Sequence, residues 1–135
     1  MALKESELRV GDTYTEALVD DLKRTQIVMY AGASGDYNPL HTDEVYAREA
    51  GYPSVFAHGM LTMGMTGRML TNYLGDGRIV SYGVRFTNIV YPGDALRATA
   101  TVEEVAAGLV KLAVETTKAD GTVVLSGYAT GRIDP

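Results

Sequence analysis

GMLTMGMTGRMLTNYL, residues 59–74, is the segment on which the fold turns. Wound as a helix, it lines up Met60, Met63, Gly64, Gly67, Leu70 and Leu74 on one stripe and Leu61, Met65 and Met69 on another. A helix that is apolar on most of its circumference belongs in an interior. At about 1.5 Å per residue it runs about 24 Å, enough to cross a small domain. Gly75-Asp76-Gly77 ends it, and the periodicity then changes. Residues 78–90, 95–105, 109–118 and 122–132 are rich in Val, Ile, Leu, Thr and Tyr and predict strands. The third alternates, with Val110, Leu112, Val114 and Thr116 on one face and Lys111, Ala113, Glu115 and Thr117 on the other. Pro92-Gly93-Asp94 marks one turn, and Asp120-Gly121 is a strong hairpin signal. The expected class is α+β: a long buried helix followed by an antiparallel meander that packs one face on it.

Upstream of the helix the signals are mixed. Residues 13–19 suit a short strand, and Asp20 or Asp21 suits the cap of a helix running to about Ala33 with Leu22, Ile27, Tyr30 and Ala31 inward. SGDYNPLH, residues 34–41, reads as a loop punctuated by Gly35 and Pro39. Residues 42–50 predict a short helix capped by Thr42, and 51–57 a loop.

A chain of 135 residues suits one domain, residues 1–135. With no cysteine there is neither a disulfide nor a thiolate metal site, which fits a reducing cytoplasm. The opening segment MALKESELRVGD lacks the apolar core of a signal peptide, and no apolar run is long enough to span a membrane. A net charge of −5 argues against a nucleic-acid partner and obliges an acidic ligand to find a local basic patch, for which Arg68, Arg78, Arg85 and Arg97 are candidates.

The chain has two histidines, His41 and His58, both beside glycine or proline in polar loops. Histidine there either pins a loop or does acid–base work near neutral pH. Asp36 precedes His41 by five residues, with Asn38-Pro39 between them. A lone Asp in such a loop commonly bonds its own backbone, but a carboxylate and an imidazole on one rigid loop can converge on a small molecule. No metal or other cofactor is expected. His58-Gly59-Met60 opens the long helix. Gly59 either eases the turn into it or presents an N–H at a helix N-terminus, where unpaired donors and partial positive charge stabilise an oxyanion. Gly64 and Gly67 serve either close packing on the sheet, the reading we favour, or room for an apolar ligand beside the helix. The four methionines at 60, 63, 65 and 69 are core or the lining of such a channel.

Together, SGDYNPLHTDEVYAREAGYPSVFAHGMLTMG (34–64) and VRFTNIVYPGDAL (84–96) resemble the hydratase signature and the strand–turn–strand segment of the MaoC-like family. That resemblance implies a hot-dog fold, a long central helix wrapped by a curved antiparallel sheet. It implies reversible hydration of trans-2-enoyl thioesters of coenzyme A or acyl carrier protein to (3R)-3-hydroxyacyl thioesters. Asp36 and His41 fall on the family's catalytic pair, Gly59 on its oxyanion donor, and Asn38 in the same loop motif. Asn38, His58, Met60, Gly64, Gly67 and Arg85 are candidates for substrate binding. Some relatives carry a serine on the central helix where this chain has Gly67; Thr62 or Thr66 are possible substitutes. Two other readings share the fold: an acyl thioesterase, and a non-catalytic acyl-binding subunit of a heterodimeric dehydratase. A dimer, homo or hetero with a related hot-dog subunit, is expected because a lone sheet leaves an edge uncovered.

Overall fold

The computed structural model describes residues 3–135. Met1 and Ala2, which open the expected 1–135 domain and its polar leading segment, lie outside the described residues. The elements run β1 (Thr13–Val19), α1 (Arg24–Ser34), α2 (Glu44–Glu49), α3 (Gly59–Leu74), β2 (Ile79–Phe86), β3 (Leu96–Ala106), β4 (Leu109–Lys118) and β5 (Val123–Arg132). All five strands form one antiparallel sheet in the order β1-β3-β4-β5-β2, and α3 packs against β1, β2, β3 and β5. The class is α+β, as the change of periodicity after Gly75 implies.

Alternation builds the core. Leu96, Ala98, Ala100 and Val102 of β3 and Val110, Leu112, Val114 and Thr116 of β4 are buried. All but Thr116 join Met69, Leu70 and Leu74 of α3 in one apolar cluster. Where the end of α3 presses on the sheet, β5 carries Gly131; a Cβ there would lie 2.8 Å from Leu74 Cδ1, so the close approach requires glycine.

The structure corrects several expectations. Only β3, β4 and β5 form a meander. β2 pairs with β5 at the far edge, and the chain crosses to β3 through the 87–95 loop. The strand expected over 78–90 ends at Phe86. Beyond it, Thr87 N–H donates to Val124 O, and Val90 O accepts from Ala57 N–H, so these residues brace the loop before α3. Neither Asp20 nor Asp21 caps α1. Leu22 exchanges backbone hydrogen bonds with the 91–94 turn, which delays the helix until Arg24. α2 is capped by Asp43, whose Oδ1 accepts from Tyr46 N–H, while Thr42 closes the preceding 3-10 turn.

α3 is buried at Leu70 and Leu74 of the first expected stripe and Met69 of the second, and also at two threonines outside both. Thr62, Thr66, Met69, Leu70 and Leu74 face inward, whereas Met60 is 56% exposed and Gly64 is open to solvent. The inward threonines are tolerated because their hydroxyls are satisfied. Thr62 Oγ1 donates to Gly59 O, and Thr66 Oγ1 bonds both Thr62 O and, at 2.6 Å, Thr116 Oγ1. Among the described residues no helix is long and apolar enough to cross a membrane.

Candidate active site

The loop 34–43 is held in shape largely by short polar side chains. Gly35 closes α1 with φ 77°, a left-handed conformation suited to glycine, and its N–H caps Ala31 O. Ser34 Oγ accepts from Asp36 N–H, Asp36 Oδ1 from Asn38 N–H, and Asn38 Oδ1 from Leu40 N–H. Asn38 thus caps a single 3-10 turn, Pro39–His41, which delivers His41. Asn38 shapes the loop, as expected of its position in the motif.

This chain of turns brings Asp36 and His41 together. His41 Nε2 lies 4.0 Å from Asp36 Oδ2. The Asp36 side chain is half exposed, while the His41 side chain is only 11% exposed. The other ring nitrogen, His41 Nδ1, is 2.7 Å from Phe56 O. A carbonyl only accepts, so Nδ1 carries the proton of the neutral ring and Nε2 presents a lone pair toward Asp36. An ionised carboxylate is also an acceptor. Asp36 and His41 are therefore two acceptors set too far apart to bond each other.

His58 stands immediately before α3 and is buried, not exposed in a polar loop as its sequence neighbours suggest. It stacks on His41 with ring centroids 3.7 Å apart and planes at 22°. Its Nε2 is 3.1 Å from Asp36 O, and Tyr30 packs against it edge-on. Burial lowers its basicity, and the neighbouring His41 adds to that effect while the Asp36 carbonyl opposes it. Asp36, His41 and His58 each offer one ligand atom within 4.8 Å of the others. Their arrangement suits hydrogen bonding better than a metal: the stacked imidazoles keep their in-plane lone pairs in nearly parallel planes with centroids 3.7 Å apart, and His58 Nε2 is already engaged.

Gly59 begins α3 beside this group. The first N–H groups donated into the helix are those of Leu61 and Thr62, both to His58 O, which leaves Gly59 N–H among the free donors of the helix end. Phe86 covers it. A Cβ built on Gly59 would sit 3.2 Å from three atoms of that ring. A cavity of about 220 Å³ adjoins, lined in part by Phe56, Gly59, Thr62, Phe86 and Ile89. Larger clefts, such as those of about 440 Å³ beside Arg97 and Lys118 and about 480 Å³ beside Thr99 and Glu115, do not reach Gly59.

The remaining candidates are not drawn into the group. Arg85 neighbours Phe86 on β2 and so points to the opposite face of the sheet. Arg68 donates to Leu18 O, and Arg78 pairs with Asp134. Arg85 and Arg97 lie on strands three steps apart, about 14 Å, so these two do not share one patch. A Cβ at Gly64 would meet nothing within 4 Å, so packing within this chain does not explain that glycine. A Cβ at Gly67 would stand 3.5 Å from the Tyr82 ring. Tyr82 OH donates to Met63 O, and burial pushes its pKa up to about 12. Thr62 and Thr66 spend their hydroxyls on the helix and the core, and so do not replace a serine near Asp36. The sequence reading missed Phe56, Phe86 and Tyr30. Phe86 alone left a signal, through its alternation with Arg85; the Phe56 carbonyl is a backbone group that no side chain announces.

Known proteins share both the sequence and this arrangement of elements. Enoyl-CoA hydratase ChsH3 of Mycobacterium tuberculosis is 41% identical over 96 residues, covering 69% of this chain and 32% of that protein. The (R)-specific enoyl-CoA hydratase of Rhodospirillum rubrum is 34% identical over 124 residues, covering 90% of this chain and 86% of that one. The R-hydratase PhaJ1 structure from Pseudomonas aeruginosa superposes with a TM-score of 0.86 at 28% identity, over 98% of this chain and 86% of that chain. The chain spans about a third of the length of ChsH3 and of 3-hydroxyacyl-thioester dehydratase Y, a further relative. The family model of the MaoC-like domain matches residues 5–124. This chain belongs to the MaoC-like domain family and has its hot-dog fold.

Proposed function

We propose that this chain is a hydro-lyase that reversibly adds water across the double bond of trans-2-enoyl thioesters of coenzyme A or acyl carrier protein, giving (3R)-3-hydroxyacyl thioesters. The observation that carries the proposal is the 4.0 Å gap between two acceptors, Asp36 Oδ2 and His41 Nε2, beside the free N–H of Gly59. A water about 2.8 Å from both atoms would bond them at an angle of about 90°, close to the angle between its own O–H bonds. One molecule then donates to both residues, and its lone pairs are free to attack. Gly59 N–H polarises the thioester carbonyl and stabilises the enolate oxygen formed as C3 is attacked. Asp36 takes the proton lost by the water, and the pair returns a proton to C2. The two groups act as one coupled unit.

The relatives named as enoyl-CoA hydratases support the reading. The proposal includes a single domain over 1–135, a cytoplasmic setting, and a dimer, homo or hetero with a related hot-dog subunit. Its test is an assay of the purified chain with crotonyl-CoA, a longer enoyl-CoA and an enoyl carrier protein, followed by loss of enoyl absorbance and chiral analysis of the product. Formation of the (3R)-hydroxyacyl thioester is expected. Release of free thiol would replace the reading with a thioesterase, and tight acyl binding without turnover would replace it with a non-catalytic subunit.

A further inference from the structure

His58 is the most enclosed polar group of the site; it backs the wall of the cavity beside Gly59 but shows almost no surface to it. The residue is 1% exposed. Because its Nε2 faces a carbonyl, Asp36 O at 3.1 Å, that nitrogen carries the proton. Nδ1 is then a bare acceptor, and it is buried without a hydrogen-bond partner. An unsatisfied buried acceptor is a standing cost, so an apolar side chain of similar size would suit packing better. What histidine adds is reach in three directions. Its edge holds the Asp36 backbone, its face supports the His41 ring, and its own backbone leads directly into Gly59.

We propose that His58 is a positioning residue that fixes the Asp36 loop and the His41 ring relative to the Gly59 N–H, without contacting substrate. The inference rests on the hydratase reading above. The support is specific because the rest of the site leaves these groups under-determined. The Asp36 side chain has one intramolecular hydrogen bond, a long one of 3.3 Å from Asn38 N–H, so its place depends on its backbone. That backbone is held by Ser34 Oγ on the N–H side and by His58 on the carbonyl side. His41 is fixed in its plane by Phe56 O and flanked edge-on by the Phe56 ring; His58 supplies the surface beneath its face. Burial lowers the basicity of His58, which serves this purpose because it disfavours a positive charge under a ring whose Nε2 must accept a hydrogen bond.

Three substitutions separate positioning from space-filling. The amide nitrogen of His58→Gln can stand where Nε2 stands, that of His58→Asn falls nearer Nδ1, and His58→Leu fills volume with no donor. For crotonyl-CoA, Leu and Asn should lower kcat by about 10–100-fold, as expected of a small displacement of reacting groups, with KM changed much less; Gln should restore most of the loss. His58→Leu should melt near the native temperature, because removal of the unpartnered Nδ1 offsets the loss of the bond to Asp36 O. If Leu fails to fold, the comparison of Gln with Asn decides. Near-native kcat in Leu or Asn, or a Gln variant no better than either, would overturn the proposal. So would a rise in KM at constant kcat, which would make His58 a substrate contact. An inactive native protein would refute the hydratase reading instead. The positioning claim is then read from the His41 ring resonances, which should shift in Leu and return in Gln; resonances that stay native in both variants overturn it.

Discussion

Asp36→Asn tests the proposed chemistry with little disturbance of the fold. The side chain is about half exposed, and its one intramolecular hydrogen bond, from Asn38 N–H, is one that an amide oxygen can also accept. The expected loss of stability is therefore within about 0.5 kcal/mol. The chemical change is far larger. With the amide oxygen taking the Asn38 bond, a donating NH2 replaces the acceptor that stands 4.0 Å from His41 Nε2. A water in the gap can no longer donate to both sides, and no carboxylate remains to take its proton. General base contributions are about 10²–10⁴-fold, or about 2.7–5.5 kcal/mol of barrier, so activity and stability should separate by roughly an order of magnitude in energy. His41→Gln should lose a comparable factor in kcat. It should also lose about 1 kcal/mol of stability, because it gives up the hydrogen bond to Phe56 O. The double variant should be little worse than the poorer single one, since the pair acts as a unit. Steady-state hydration of crotonyl-CoA and thermal melts on the three variants supply every number needed. Turnover of Asp36→Asn within about threefold of native, with an unchanged melt, would refute the mechanism.

Gly64→Ala should raise the melting temperature by about 3 °C, because a helical glycine costs about 1 kcal/mol and the added methyl meets nothing within 4 Å. If the space beside Gly64 takes the acyl chain, Gly64→Leu should shorten the chain accepted while sparing crotonyl-CoA, and an equal loss for short and long substrates would speak against it. Glu44 is held below the usual carboxylate range chiefly by Arg24, at 2.5 Å, with help from Val55 N–H and Arg48. A depressed folded-state pKa contributes stability above the unfolded glutamate value that is lost as pH falls through the folded one, so the melting gap between native and Glu44→Gln should be widest at neutral pH and close on acidification; a gap constant down to pH about 3 would contradict this. Val80 and Phe86 of edge strand β2 and Tyr128 of the adjoining β5 are about half exposed, so sedimentation should find a dimer, and a fully active monomer at micromolar concentration would contradict one.

Alternation and turn chemistry carried the fold as far as local patterns reach. Val110, Leu112, Val114 and Thr116 face inward as their spacing requires, because a sheet covered on one face by a helix imposes a period of two. Pairing order was not legible. Nothing in the composition of β2 says that it joins β5 rather than β3, since both neighbours offer the same ladder of backbone groups. Residues 87–90 show why boundaries slip. Their apolar character is genuine, with Val90 buried, but Val90 O is bonded to Ala57 in a loop rather than to a strand. In α3 Met69 is buried and Met63 and Met65 pack on the core, but the inward threonines and Met60 depart from the pattern for a related reason. Threonine looks polar in a pattern, yet Thr62 and Thr66 sit inside once their hydroxyls have partners, while Met60 can lie outside.

The site divides along the same line. Asp36, Asn38 and His41 were legible because one short loop sets their geometry through hydrogen bonds between near neighbours. What ties this loop to the helix end was not, because it depends on contacts across some twenty residues: His58 Nε2 to Asp36 O, and Phe56 O to His41 Nδ1. On the proposed mechanism those two bonds decide the chemistry. Phe56 O fixes the tautomer that leaves His41 Nε2 an acceptor, and without that tautomer the 4.0 Å gap would join a donor to an acceptor and would not orient a water for attack. A backbone carbonyl thus sets the tautomer of His41, and on our proposal a buried histidine holds the pair to the helix end that carries Gly59. Residue types in a motif name the participants; their roles follow from the partners that the fold assigns to each nitrogen.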